Sequence, residues 1–264
     1  IDISRPLDAG DVNAIRDAFL QHHLLCFRAA PVTAQYFCAF ARQFGEPQKQ
    51  LLRDKRDAAV PEVSVLDSTY RCKADKPDDQ RMIRLTGWHT DDSYFALPAK
   101  ATMLQAIEIP HSGGQTRFLN MRKAYADLPA TDKQRVDGLR AMHCYDTRRA
   151  PARASALTKA ETGETPDVIH PLIRTHEDTG VKSFYYNANR TDRIDGMDRG
   201  QSDALLDWVH DRIVQPQYRY DHEWLLGDML LWDNRCLVHS VNMDFPVGQS
   251  RRHQRILLQG VRPV

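Results

Sequence analysis

In Gly87-Trp88-His89-Thr90-Asp91-Asp92-Ser93-Tyr94 an imidazole and a carboxylate stand two residues apart. On an extended strand alternate side chains leave the same face, so His89 and Asp91 would sit roughly 6 to 7 Å apart at the backbone and could close on one ion. A third donor from far along the chain would complete a 2-His-1-carboxylate face, the arrangement that leaves positions open on a non-haem Fe(II) centre. His239, in Leu231-Trp232-Asp233-Asn234-Arg235-Cys236-Leu237-Val238-His239, is the candidate.

Spacing alone proves little. With 11 His in 264 residues, a His-x-Asp pair arises about once by chance, and a second stands at His176-Glu177-Asp178. There Asp178-Thr179-Gly180 lies between two β-rich runs and reads as a hairpin turn, and a solvated turn needs no metal. Context must separate the two pairs.

The elements that would position such a site come from composition and periodicity. With 42% hydrophobic and 27% charged residues, the chain fits one enzyme-sized domain over residues 1–264. A formal charge of +1 gives no global field for nucleic acid or an anionic membrane, and small-molecule chemistry fits better. The five cysteines, Cys26, Cys38, Cys72, Cys144 and Cys236, form no Cys-x-x-Cys pair, as expected in a reducing cytoplasm. No apolar run approaches the roughly 20 residues of a membrane span, and the first residues lack the pattern of a signal peptide. Residue 1 is Ile, so the natural chain is expected to start earlier.

Asp8 to His22 has a helical period, Leu24-Leu25-Cys26-Phe27 reads as a buried strand, and Thr33 should cap a helix whose Phe37, Phe40 and Phe44 belong to the core. Lys100 to Ile109 is a strand. The Gly113-Gly114 pair predicts a tight hairpin, with Thr116 beginning the returning strand. Asn120 should cap a helix, and Cys144 to Pro166, with Arg148, Arg149 and Arg153, reads as a basic loop. Strands follow at 168–175, 181–187, 217–220, 229–232, 236–241 and 255–261, with a helix near 201–214. Many short strands in two groups argue for an α+β fold, with two sheets closed as a jelly roll and flanked by helices and loop insertions.

Several stretches together resemble the taurine dioxygenase family. They are Trp88-His89-Thr90-Asp91, Gly113-Gly114-Gln115-Thr116, His170-Pro171-Leu172-Ile173-Arg174-Thr175-His176, Gly227-Asp228-Met229-Leu230-Leu231-Trp232-Asp233-Asn234 before His239, and Arg251-Arg252-His253-Gln254-Arg255-Ile256. The resemblance runs over nearly the whole chain. It implies a double-stranded β-helix and an Fe(II)- and 2-oxoglutarate-dependent oxygenase that uses O2 and releases succinate. Carried over by position, it makes His89, Asp91 and His239 the iron ligands. Thr116 and Arg255 would hold the distal carboxylate of 2-oxoglutarate, and Arg251 would approach the carboxylate at iron.

Two alternatives stand beside this reading. Halogenation would need a small residue in place of the metal carboxylate, and Asp91 fills that position. A non-catalytic jelly-roll protein could hold a structural zinc or no metal at the same three residues. For substrate, the sequence suggests a small organic acid near Arg84, Tyr94, Phe95 and Tyr145. Leu85 stands where a sulfonate-specific member would carry a polar side chain, which argues against taurine itself. The family resemblance also admits a homo-oligomer.

Overall fold

Asp8 accepts the Asp11 N–H at 2.8 Å and so starts helix α1 (Ala9–His22), which ends at His23 in the left-handed region (φ 60°). The structure, a computed structural model, describes residues 3, 5–69, 87–150 and 157–264. After α1 come β1 (Leu24–Phe27), α2 (Ala34–Arg42) capped by Thr33, β2 (Pro47–Gln48), β3 (Ser64–Asp67), β4 (Ala101–Glu108) and β5 (Thr116–Asn120). Asn120 caps α3 (Met121–Ala126), followed by α4 (Ala130–Val136), β6 (Arg140–His143) and α5 (Lys159–Gly163). The C-terminal half adds β7 (Val168–Pro171), β8 (Ile173–Thr175), β9 (Lys182–Phe184), β10 (Thr191–Ile194) and α6 (Arg199–Ile213). It closes with β11 (Arg219–His222), β12 (Met229–Asp233), β13 (Leu237–Val241) and β14 (Arg252–Leu258).

The expected double-stranded β-helix, or jelly roll, is not what these strands form. Hydrogen bonding divides them into four separate antiparallel sheets, and none closes into a barrel: a six-stranded sheet β1-β12-β4-β14-β2 with β3 on β14, then β10-β6-β7, β11-β5-β13 and β8-β9. The reason is visible where the chain turns. Gly113 and Gly114, at φ 72° and 73°, do not make a hairpin, because β4 pairs with β12 and β14 while β5 pairs with β11 and β13. They hand the chain from one sheet to another. Likewise the single strand expected at 168–175 breaks at Leu172, so that β7 joins β6 and β8 pairs with β9. The result is an α+β fold with several antiparallel sheets.

Alternation along β4 decides what each face buries. Ala101 and Met103 pack with Phe37, Phe40 and Ala41 of α2. Leu104 and Ala106 meet Phe118 of β5, Leu237 of β13 and Trp232 of β12, so the six-stranded sheet faces the β11-β5-β13 sheet across a shared core. At full burial each of the Leu, Phe and Met side chains contributes about 1.5 to 3 kcal/mol. Among the described residues no helix is long and apolar enough to cross a membrane.

Candidate metal centre and adjoining cavities

Main chain brings His89 and His239 together before their side chains do. His89 N donates to His239 O at 3.0 Å and His239 N donates back to His89 O at 2.7 Å, a two-way bridge outside the regular strands. Both imidazoles therefore leave the backbone side by side, with ring centres 4.2 Å apart. Asp91 follows two residues later, and donor atoms of His89, Asp91 and His239 all lie within 4.8 Å of one another. His89 Nδ1 lies 2.8 Å from Gly87 O. A carbonyl only accepts, so Nδ1 carries the proton and Nε2 keeps the lone pair a metal needs.

Burial sets the charges of the three groups. It lowers both imidazoles, His239 to about 3 with His89 adding to the effect. Burial would raise the Asp91 carboxyl, but Arg255, both histidines and the Thr102 hydroxyl outweigh it and hold the group at about 2. Two neutral imidazoles and one carboxylate are the protonation states that bind a divalent cation without first losing a proton. Among the described residues no fourth His, Cys, Asp or Glu joins them. A closed structural zinc site takes four protein donors, whereas three fit an Fe(II) centre with open positions.

The same neutrality has a thermodynamic cost. An unfolded imidazole titrates near 6.5, while buried His170 and His239 are pushed to about 4 and about 3. Below about pH 6.5 the unfolded chain therefore holds more protons than the folded one, and stability falls as pH falls, by about 1.4 kcal/mol per such histidine per pH unit. The metal-free protein is expected to melt well below its pH 7.5 midpoint when scanned at pH 5.5. Equal melting points would contradict these neutral histidines.

Asp91 is held from behind by residues outside the expected ligand set. Thr102 Oγ1 donates to Asp91 Oδ2 at 2.6 Å and accepts from Asn234 Nδ2 at 2.8 Å, while Asn234 Oδ1 accepts from Trp232 Nε1 at 3.0 Å. Thr90 Oγ1 donates to Asn234 O at 2.7 Å, and Asn187 Nδ2 to Thr90 O at 2.7 Å. Asn234 and Trp232 thus tie β12 to the His89–Asp91 segment, which is not the extended strand expected: His89 makes an isolated bridge and Asp91 begins a turn. Thr102→Val, which keeps the shape and removes the hydroxyl, is expected to weaken Mn(II) binding about tenfold. Calorimetry checks this, and an unchanged affinity would show that Thr102 does not orient the carboxylate.

The second His-x-Asp pair has a different fate. A turn does join β8 to β9, with Gly180 at φ 69°, but His176 is buried and not solvated. Its Nε2 lies 2.9 Å from Asp233 Oδ2, in a cluster with His23 and Cys236. Arg235 donates to both oxygens of Asp233 at 2.8 Å. That ion pair accounts for the cluster without a metal, and Asp178 merely extends it, accepting from Arg235 at 2.6 Å.

A cavity of about 300 Å³ opens from His89 and His239 and ends at Arg251, with Thr116, Ser68 and His253 in its wall. Arg251 is buried, and no described carboxylate pairs with it. Its Nε donates to Gly114 O at 2.8 Å, NH1 to Ser68 Oγ at 2.8 Å and NH2 to Thr116 Oγ1 at 3.2 Å. Burial lowers this guanidinium to about 9. A Cβ at residue 114 would lie 3.3 Å from Arg251 Nε, so glycine lets the guanidinium rest on the backbone. Thr116 Oγ1 also accepts from Trp224 Nε1 at 3.1 Å, which leaves the hydroxyl proton free to donate. A buried cation whose described hydrogen-bond partners are all neutral is a place for an anion.

Thr116 was expected to work with Arg255, but the structure sets it beside Arg251. Residues 251 and 255 are roughly 13 Å apart along the strand, and their guanidiniums have different partners. Arg255 instead donates to Asp91 Oδ1 at 3.2 Å and to Gln50 Oε1, at the metal end. The two arginines share one face of the strand, as alternation predicts, with their ends reversed.

A second cavity, of about 250 Å³, shares His89 and Arg255 with the first and is lined by Asp91, Tyr94, Tyr145 and Arg190. Tyr94 and Tyr145 meet edge to face at 5.0 Å, and Arg190 stacks over both rings at 5.1 and 4.8 Å. Phe95 lies instead in a neighbouring cleft with Gln48, Leu97 and Val168. Arg84 and Arg153 fall outside the described residues. Arg149, read as part of a basic loop, is tied to α6 through Asp203 at 2.7 Å and Asp207 at 2.5 Å. Arg190 carried no sequence signal, because it lies in none of the stretches that carry the resemblance.

Comparison with known proteins agrees with this geometry. A curated relative, (S)-phenoxypropionate/alpha-ketoglutarate-dioxygenase of Sphingobium herbicidovorans, is 34% identical over 259 residues, covering 94% of this chain and 86% of that protein. An alpha-ketoglutarate-dependent 2,4-dichlorophenoxyacetate dioxygenase of a Burkholderia species is 31% identical over 240 residues, 88% of this chain and 80% of that one. The crystal structure of a taurine dioxygenase from Burkholderia xenovorans superposes with a TM-score of 0.83 at 29% identity, covering 100% of this chain and 85% of that chain. Residues 1–257 match the family described as taurine catabolism dioxygenase TauD, TfdA family. The chain belongs to that family and is an Fe(II)- and 2-oxoglutarate-dependent dioxygenase.

Proposed function

We propose that this dioxygenase hydroxylates a small organic acid with an aromatic or other apolar body, bound in the cavity of Tyr94, Tyr145 and Arg190. 2-Oxoglutarate would occupy the cavity that ends at Arg251. The observation that carries this reading is the meeting of two cavities at His89, one ending in the buried Arg251 and the other walled by an arginine on two tyrosines. His89, Asp91 and His239 would hold the iron. Bound there, Fe(II) supplies the redox chemistry that couples O2 to decarboxylation of the 2-oxo acid and oxidation of the substrate.

The remaining work belongs to the side chains. Arg251 and Thr116 would fix the distal carboxylate by a charged and a neutral donor, which sets the 2-oxo end toward His89 and His239. Arg255 and Thr102 hold Asp91 as a carboxylate. Tyr94 and Tyr145 would cover the apolar part of the substrate and exclude water, and Arg190 would pair with its acidic group. Two relatives are named for phenoxypropionate and 2,4-dichlorophenoxyacetate, acids of this shape.

The test is a panel of aryloxyalkanoates, alkyl sulfates and sulfonates, scored by substrate-stimulated succinate release. Arg190→Met should raise the KM of the best acid about tenfold or more, with 2-oxoglutarate affinity unchanged, because it removes binding energy remote from the co-substrate. A best substrate without an anionic group, or a kinetically silent Arg190→Met, would remove this anchor and leave the other assignments standing.

A further inference from the structure

We infer that His253 is a third donor to the distal carboxylate of the 2-oxo acid, beside Arg251 and Thr116, and sets the enzyme's preference for a dicarboxylic 2-oxo acid. The inference rests on the reading that the Arg251 cavity takes 2-oxoglutarate. His253 is completely buried, lines that cavity, and among the described residues neither ring nitrogen has a hydrogen-bond partner. Such a side chain is rare, because a buried N–H that bonds nothing is costly.

Its neighbours on the sheet cannot satisfy it. The cross-strand partners of His253 are Leu66 on β3 and Ala106 on β4, both apolar. Its ring packs on Trp224 at 4.5 Å, and Trp224 Nε1 in turn donates to Thr116 Oγ1. Trp224 therefore fixes the imidazole on the side of the cavity where Thr116 and Arg251 meet. Alternation along β14 turns residues 251, 253 and 255 to one face, which places the ring between the two arginines. Burial, with the Arg251 charge adding to it, keeps the ring neutral, so it has one N–H to give. A carboxylate bound at Arg251 has lone pairs left over after the guanidinium and the Thr116 hydroxyl, and the imidazole N–H would take one of them.

The experiment compares two ligands that differ only at the far end. Mn(II)-loaded enzyme is titrated anaerobically by calorimetry with 2-oxoglutarate and with 2-oxopentanoate, which has the same chain and no distal carboxylate. His253→Leu is expected to weaken 2-oxoglutarate about tenfold and leave 2-oxopentanoate unchanged, while His253→Asn, which keeps a donor, recovers most of the loss. Equal weakening of both ligands would show a packing role only, and unchanged 2-oxoglutarate affinity would overturn the inference outright. Arg251→Gln separates this from the underlying reading. If it too leaves the preference for 2-oxoglutarate intact, the cavity assignment fails; if it removes the preference and His253→Leu does not, His253 alone is excluded. Should the leucine variant not fold, nitrogen-15 imidazole spectra of the Zn(II)-loaded wild type decide. A His253 N–H must shift on adding 2-oxoglutarate and not on adding 2-oxopentanoate, and identical shifts would overturn the inference.

Discussion

Asp91→Ala is expected to abolish turnover and to weaken Fe(II) binding by at least two orders of magnitude while the protein still folds. The carboxylate is the one anionic donor of the three, and burial leaves both imidazoles neutral, so its loss removes all the charge that balances a divalent ion. The fold survives because the sheets meet through the apolar cluster of Leu104, Phe118, Trp232 and Leu237, of which this side chain is not a member. Some stability goes with it, since Thr102 and Arg255 each lose an acceptor, and a melting point lower by several degrees is expected. Asp178→Ala is the control. It removes one arm of the Arg235 ion pair and should leave metal affinity unchanged. Retained hydroxylation in Asp91→Ala, measured as succinate release, would sink the metal assignment.

Arg251→Gln carries the second large effect, and its sign differs between the free and loaded protein. In the metal-free enzyme Arg251 is a buried cation whose side-chain partners among the described residues are Gly114, Ser68 and Thr116, all neutral, so replacing it with a neutral amide should hold or raise the melting point. With 2-oxoglutarate present the same change strands a carboxylate, a loss of roughly 2 to 5 kcal/mol, which is a fall in affinity of at least about thirtyfold. Thermal melts and anaerobic calorimetry check the two halves separately. A destabilised apoprotein with unchanged 2-oxoglutarate affinity would mean that Arg251 is structural and that Arg255 or another cation reads the co-substrate.

How much of this was legible in the sequence follows from the range of the interactions. His89, Asp91 and His239 could be picked out because alternation makes His-x-Asp a chelating pair and because the surrounding motifs carry a family resemblance. Helix α1 by its apolar period, α2 with Thr33 and α3 with Asn120 were equally plain, since period and cap both act locally. Sheet membership was not. Whether Gly113-Gly114 turns a hairpin or passes the chain to another sheet depends on β12, more than a hundred residues away.

The same limit governs the site. Thr102 is an ordinary strand threonine until Asn234 and Asp91 are placed around it. Asn234 has no role of its own in the sequence and proves to bind Asp91 to β12 through Thr102. The roles of Arg251 and Arg255 could not be ordered from a shared strand face, because the face says where both point and not which end of the cavity each reaches. His176 stands beside what reads as a solvated turn, and nothing local shows that Asp233 and Arg235 would bury it.

The most direct measurement is a crystal structure grown with Mn(II) and N-oxalylglycine, an unreactive analogue of 2-oxoglutarate. Anomalous density should place one Mn(II) on His89, Asp91 and His239, with the distal carboxylate of the analogue on Arg251 and Thr116. Metal at His23, His176 and Asp233, or an analogue whose distal carboxylate sits on Arg255, would contradict the account.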